Sequence, residues 1–204
     1  MLKFAPDAPP DAPDTLVYVN NLIPTTRGGY KTALGPNALG TYAAQSGQVF
    51  GCANMLKLDG SERFFVGTDT KLYTGASNTW ADVTRAGNYT TGTKKWRFCQ
   101  YGDVTLAANG IDTLQVSTGG AFADIAGAPV AKIVENASPL FVMALDTVAH
   151  GKNSWYCSAL GDYSNWTPSA ATSCAWGNLF DTPGGITGGK ALGPNFIIYK
   201  KKAI

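Results

Sequence analysis

Histidine is almost missing from this sequence: His150 is the only one in 204 residues. Acid–base and nucleophilic chemistry near neutral pH leans on histidine, so a Ser-His-Asp set would have to use that one position. His150 lies in the polar turn Ala149-His150-Gly151-Lys152-Asn153. Asp146 and Asp162 flank it in the chain, but there is no Gly-x-Ser-x-Gly elbow. It therefore reads as a solvent-exposed turn residue.

Charge is also scarce, at 15% of residues, with 16 basic and 14 acidic side chains and a net charge of +2. A dedicated nucleic-acid binder carries a basic stripe. The one tight cluster, Lys200, Lys201 and Lys202, reads as a solvated strand end. No apolar run approaches the roughly 18 residues of a membrane-spanning helix. Met1-Leu2-Lys3-Phe4 leads straight into a Pro- and Asp-rich segment without the apolar core of a signal peptide, so synthesis and retention in a cytosol are expected. Cys52, Cys99, Cys157 and Cys174 include no Cys-x-x-Cys pair. Zinc-type ligand spacing is missing, and the thiols are expected to stay reduced as small buried apolar groups. The Asn-x-Ser/Thr triplets at Asn88, Asn136 and Asn165 are then chance matches.

Helical periodicity is missing as well: no segment of a dozen residues pairs a 3.6-residue apolar rhythm with a cap and a stop. The chain has 24 Gly, 11 Pro, 9 Phe, 9 Tyr and 5 Trp instead. Many turn formers, many aromatics and few long charged side chains favour short strands. Strands are expected at Val49–Leu56, Arg63–Val66, Lys71–Thr74, Trp80–Thr84, Lys95–Tyr101 and Val104–Ala108. Further strands are expected at Thr113–Ser117, Phe122–Ile125, Ala131–Val134, Leu140–Ala144, Ser154–Ser158 and Phe196–Tyr199. Residues 1–44 are set apart as an extended, Pro-rich N-terminal arm and a first strand. Prolines at 6, 9, 10 and 13 remove N–H donors and disfavour helix or central strand there.

A repeat underlies the strands. Residues 67–83 align without a gap on 109–125: Leu72 meets Leu114, Trp80 meets Phe122, and Ala81-Asp82-Val83 meets Ala123-Asp124-Ile125. A weaker third copy runs through Leu140–Leu145, Trp155-Tyr156 and Asn165-Trp166, and a fourth begins at Gly185-Ile186. A period near 42 residues built of short antiparallel strands has the form of a propeller blade. The fold expected is all-β and propeller-like, with 45–204 divided into blades at 45–86, 94–127, 130–168 and a partial 184–204. Close approach of blades accounts for small residues such as Gly51, Ala107 and Ala108 inside strands.

Motifs that mimic sites are accounted for by structure. Gly184-Gly-Ile-Thr-Gly-Gly-Lys190 follows a phosphate-loop pattern for seven positions, but Ala191 replaces the metal-binding hydroxyl. Gly193-Pro194 precludes a following helix, so the segment reads as a Gly-rich loop between strands. Asp59, Asp103 and Asp162 adjoin glycines in turns, where Asp bonds its own backbone. Paired glycosidase acids are the chemical alternative for the remaining aspartates. Trp80, Trp96, Trp155, Trp166 and Trp176 could stack on sugars or bases, or fill packing interfaces. No catalytic, cofactor-binding or metal-binding residue is assigned, no cofactor is expected, and the chain is expected not to be an enzyme.

Several segments in order carry a resemblance. They are Val19-Asn20-Asn21-Leu22 with Arg27-Gly28-Gly29-Tyr30, Gly67–Tyr73, Trp96-Arg97-Phe98 with Asp103 and Asn109-Gly110, Trp155–Trp166, and Phe196–Tyr199 leading to Ala203-Ile204. Over residues 16–204 the chain resembles the tail nozzle, or packaged-DNA stabilisation, proteins of short-tailed bacteriophages. The resemblance implies a propeller subunit in a homo-oligomeric ring, six copies in the family, below the portal and the head-to-tail adaptor. It implies tail fibre or needle partners, non-specific passage of double-stranded DNA, and a place in the virion after synthesis in the host cytoplasm. The family brings no catalytic residues. A weakly charged channel suits DNA that must slide, because strong phosphate neutralisation would hold it. A carbohydrate- or receptor-binding propeller of a tail or fibre is the alternative reading.

Overall fold

The computed structural model describes residues 47–76, 79–92, 95–138 and 140–202, with four short strands nearer the N-terminus. No helix occurs among the described residues, and the protein is all-β. Two compact units divide the chain, residues 1–40 and 41–204.

In the first unit, β1 (Lys3–Phe4) pairs in parallel with β2 (Thr15–Leu16). There β3 (Leu22–Pro24) forms an antiparallel hairpin with β4 (Tyr30–Thr32). Pro24 is tolerated because a two-stranded ribbon is all edge. The expected Pro-rich arm falls mainly outside the described residues.

The second unit begins with three antiparallel sheets in which each strand pairs with the next in the chain. The first holds β5 (Val49–Leu56), β6 (Glu62–Thr68), β7 (Leu72–Ala76) and β8 (Thr79–Asp82). The second holds β9 (Arg97–Tyr101), β10 (Val104–Ala108), β11 (Gln115–Ser117) and β12 (Ala123–Asp124). The third holds β13 (Ala131–Ser138), β14 (Phe141–Thr147), β15 (Gly151–Cys157) and β16 (Ala175–Asn178). A hairpin of β17 (Ile186–Leu192) and β18 (Asn195–Lys200) follows. None of these sheets closes on itself.

The 42-residue offset has a direct counterpart in hydrogen bonding. Val83 N donates to Leu72 O at 2.9 Å, and Ile125 N donates to Leu114 O at 2.9 Å. All four aligned side chains are buried. In the third copy Trp166 is buried too, but it lies in the connection 158–174 and not beside the fourth strand.

Two expectations need correcting. The Gly-rich segment 184–190 is not a loop: Ile186–Leu192 is a full strand paired with β18. A Cβ on Gly189 would stand 2.7 Å from the Phe196 ring and 3.0 Å from Leu145 Cδ1. Glycine there is a packing requirement, although glycine generally weakens strand propensity. The strand Ala175–Asn178 also went unassigned in the sequence, being short and interrupted by Gly177.

Neighbouring sheets meet mainly through their first strands: β5 packs beside β9, β9 beside β13, and β13 beside β17. Three apolar clusters fill the spaces between sheets. Phe65, Leu72, Tyr89, Trp96 and Phe122 lie between the first and second sheets. Leu106, Leu114, Val134, Val142 and Trp166 lie between the second and third. Ile133, Met143, Leu145 and Ile186 join the third sheet to the hairpin.

Candidate functional site

The densest polar constellation lies between the first two sheets, on residues the sequence left unassigned. Arg85 follows β8 and reaches across to the second sheet. Its Nη2 donates to Asp112 Oδ1 at 2.8 Å, and its Nη1 donates to Asp124 Oδ1. Asp112 is buried and also accepts from Thr90 N at 3.1 Å, Thr90 Oγ1 at 3.0 Å and Asn109 Nδ2 at 2.9 Å. Asp124 takes a further bond from Gln115 Nε2 at 2.6 Å. Partial burial raises the Asp124 pKa, but the Gln115 and Arg85 bonds outweigh it and hold the carboxyl below its ordinary value. Tyr89, beneath the Arg85 guanidinium, donates from its hydroxyl to Gln115 Oε1 at 3.3 Å. Burial pushes the Tyr89 phenol well above its usual range, so it stays protonated.

This network has the residue types of a glycosidase pair but not the arrangement. One acid with a raised pKa and one free base are needed. Here both carboxylates share one guanidinium, and Asp112 is saturated with donors. The network clamps two sheets together.

Trp96 makes the second cross-link. Its backbone N donates to Phe50 O at 3.1 Å, and its indole Nε1 donates to Thr68 O at 2.8 Å. The ring lies over Gly67 and the Trp96 main chain over Gly51, both glycines of the first sheet. A Cβ on Gly51 would stand 2.6 Å from Trp96 O, and one on Gly67 would overlap the indole. Arg63 Nη2 adds a bond to Ser117 Oγ at 3.0 Å.

His150 is not a free turn residue as the sequence suggests. Its imidazole is half-buried and stacked on the Trp176 indole, with centroids 3.8 Å apart and planes within 9°. The two aspartates near it in sequence are otherwise engaged. Asp146 accepts from Lys132 Nζ at 2.9 Å, and Asp162 caps its own turn through Ser164 N at 2.8 Å. Ser164 bonds hold the Asp162 pKa below its usual value.

The remaining motif residues fall into place. Lys190 of the phosphate-loop mimic sits on β17 and pairs with Glu135 on β13 at 3.0 Å. Lys200, expected to be a solvated strand end, is buried, with its Nζ donating to Leu179 O at 2.6 Å and to Thr182 O. Lys201 and Lys202 are exposed. Cys99, Cys157 and Cys174 are buried free thiols, whereas Cys52 is exposed on β5. Burial pushes the Cys99 thiol far up, which makes it inert. Among the described residues no cluster of three or more His, Cys, Asp or Glu could hold a metal ion.

Two clefts open along the row of first strands. One, of about 800 Å³, is lined by the late residues of these strands, including Leu56, Tyr101, Asn136 and Lys190. The other, of about 380 Å³, opens at their beginnings, with Arg97, Lys132 and Ile186 in its walls. No protein-family model and no curated protein matches the sequence.

Proposed function

We propose that the chain is a structural subunit of the tail tube, or nozzle, of a short-tailed bacteriophage, built of propeller-like blades and without enzymatic activity. The observation that carries this reading is the shared row of first strands, β5 beside β9 beside β13 beside β17. Sequential four-stranded meanders joined at their first strands are how blades pack around an axis. The distribution of polar groups also supports a packing role. Arg85, Asp112, Asp124, Arg63 and Glu135 all tie one sheet to another.

In this role, copies form a ring below the portal and adaptor, made in the host cytoplasm and carried in the virion, with fibre or needle proteins beyond. The ring retains the genome and lets duplex DNA pass on ejection. Electron micrographs of the purified chain and of tailed particles test the reading. Rings in the first and density at the tail axis in the second are expected; a chain that stays monomeric and separates from particles sinks it.

A carbohydrate- or receptor-binding module of a tail or fibre is the second reading. The observation in its favour is Trp176, 45% exposed beside His150, a flat platform of the kind on which sugars stack. Against it, Trp96 and Trp166 are buried. A glycan array whose hits disappear in Trp176→Ala would favour this second reading over the first.

A further inference from the structure

The loops at one end of the third sheet and the hairpin meet each other. The turn 148–150 joins β14 to β15, and the segment 179–185 leads from β16 to β17. Leu179 N donates to Asn153 O at 3.0 Å. Ile186, which opens β17, lies opposite Lys200, which closes β18. The buried Lys200 ties the hairpin to the loop through Leu179 O and Thr182 O. Lys201 N donates to Gly185 O at 3.0 Å. A Cβ on Gly185 would stand 3.3 Å from Lys152 Cβ, and one on Gly184 would stand 3.0 Å from Lys201 Cβ. Residues 148–152, 179–185 and 200–202 therefore form one continuous surface.

Two properties coincide on it. The first is protruding apolar side chains: Phe180 is 75% exposed and Val148 is 61% exposed. A single exposed apolar residue needs no explanation, but here two neighbouring loops each carry one. His150, beside Val148 in the turn, also brings in the partly exposed Trp176 through their stack. The second property is positive charge. Lys152, Lys201 and Lys202 are exposed, and none has a carboxylate partner among the described residues. The nearby Lys132 is already neutralised by Asp146. Asp181 is an exposed acid on the same loop, which leaves the lysines in excess. A nucleic-acid duplex would engage the cations but gain little from a protruding phenyl ring. A protein partner would be expected to meet an apolar centre depleted of charge. Apolar tips among lysines match the boundary of an anionic bilayer. There the tips sink to the acyl region, the long lysine stems snorkel, and the ammonium groups meet headgroup phosphates.

We propose that this surface docks on a membrane rich in anionic phospholipid, with Phe180 and Val148 inserted at the headgroup boundary and Lys152, Lys201 and Lys202 on the phosphates. The contact is peripheral. It goes beyond the tail-tube reading and is tested independently of it.

Sedimentation of the full chain with vesicles carries the test. Binding to vesicles of phosphatidylglycerol mixed with phosphatidylcholine is expected, with little binding to phosphatidylcholine alone and a loss of binding as salt is raised. Lys152→Glu/Lys201→Glu/Lys202→Glu should weaken it by about a hundredfold or more. Val148→Ser/Phe180→Ser should weaken it by about tenfold. All five positions are exposed, so the circular dichroism of both variants should match that of the unaltered chain. Lys57→Glu/Lys190→Glu, at the opposite end of the row of first strands, should change binding little. No binding to the anionic vesicles, or equal binding to both compositions, overturns the proposal. A loss with Lys57→Glu/Lys190→Glu as large as with the triple variant shows that net charge alone drives binding and overturns it too. So does unchanged binding in Val148→Ser/Phe180→Ser, which would leave no insertion. A short DNA duplex that binds more tightly than the vesicles, and is lost with the same three lysines, gives the surface to nucleic acid instead.

Discussion

Between the first and second sheets lie aromatic rings, a shared guanidinium and the buried Gly67; between the second and third lie mostly aliphatic side chains and alanines. The first interface depends on a few matched pieces, each with one partner geometry. The second spreads its stability over many interchangeable contacts. Mutational costs should follow that difference, because a core site that cannot collapse loses most when emptied.

The largest effect is expected at Trp96. Trp96→Ala removes the ring from its slot and leaves Gly67 facing a void, costing about 4 kcal/mol in urea unfolding. Leu106→Ala, fully buried in the second interface, should cost about 3 kcal/mol. A Trp96→Ala cost below that of Leu106→Ala would break the comparison.

Asp112→Ala comes next. It strands Thr90 and Asn109 without their acceptor and leaves Arg85 with Asp124 alone, at a cost of about 3 kcal/mol. Its counterpart in the second interface is Tyr156→Phe, which deletes the bond from the Tyr156 hydroxyl to Trp166 O and should cost about 1 kcal/mol. Thermal melts of both variants sharpen the contrast.

Acid separates the interfaces further. Asp124 has a folded pKa below its unfolded value of 3.8. Its stabilisation is therefore present above about pH 3.8 and is lost as pH falls through the folded value. Unfolding curves from pH 5 to 2 should lose stability faster for the unaltered chain than for Asp124→Asn, which is already without the charge. Parallel curves would show that the ion pair carries no weight. The smallest effect belongs to the exposed Glu135–Lys190 pair. Glu135→Gln should change stability by less than about 1 kcal/mol, and less still at high salt.

Much of the fold was legible because strand signals are local. Val49–Leu56 and Val104–Ala108 were bounded by turn residues and match the observed strands. The equivalence of Leu72 with Leu114 was visible because both fill the same place under successive turns. β17 was hidden because its glycines answer to Phe196 and Leu145, side chains that only the folded state brings near. The Arg85–Asp112–Asp124 clamp was hidden for a related reason. Asp112 and Asp124 were visible only as positions within the repeat 109–125, and nothing along the chain marks a guanidinium 27 residues from one carboxylate and 39 from the other as their common partner. The stacking of His150 on Trp176 likewise joins the turn before β15 to β16, across the connection 158–174.

The indole of Trp96 belongs by chain order to the second sheet but is housed in the first. Severing the polypeptide in the short stretch between them, where domain dissection would naturally cut, would separate a plug from its socket. The segment ending at residue 92 would then expose a glycine-floored trench, and the remainder would begin with an orphaned ring. The smallest piece able to fold by itself therefore includes both sheets, and truncation series should show stability arriving in one step when they are joined.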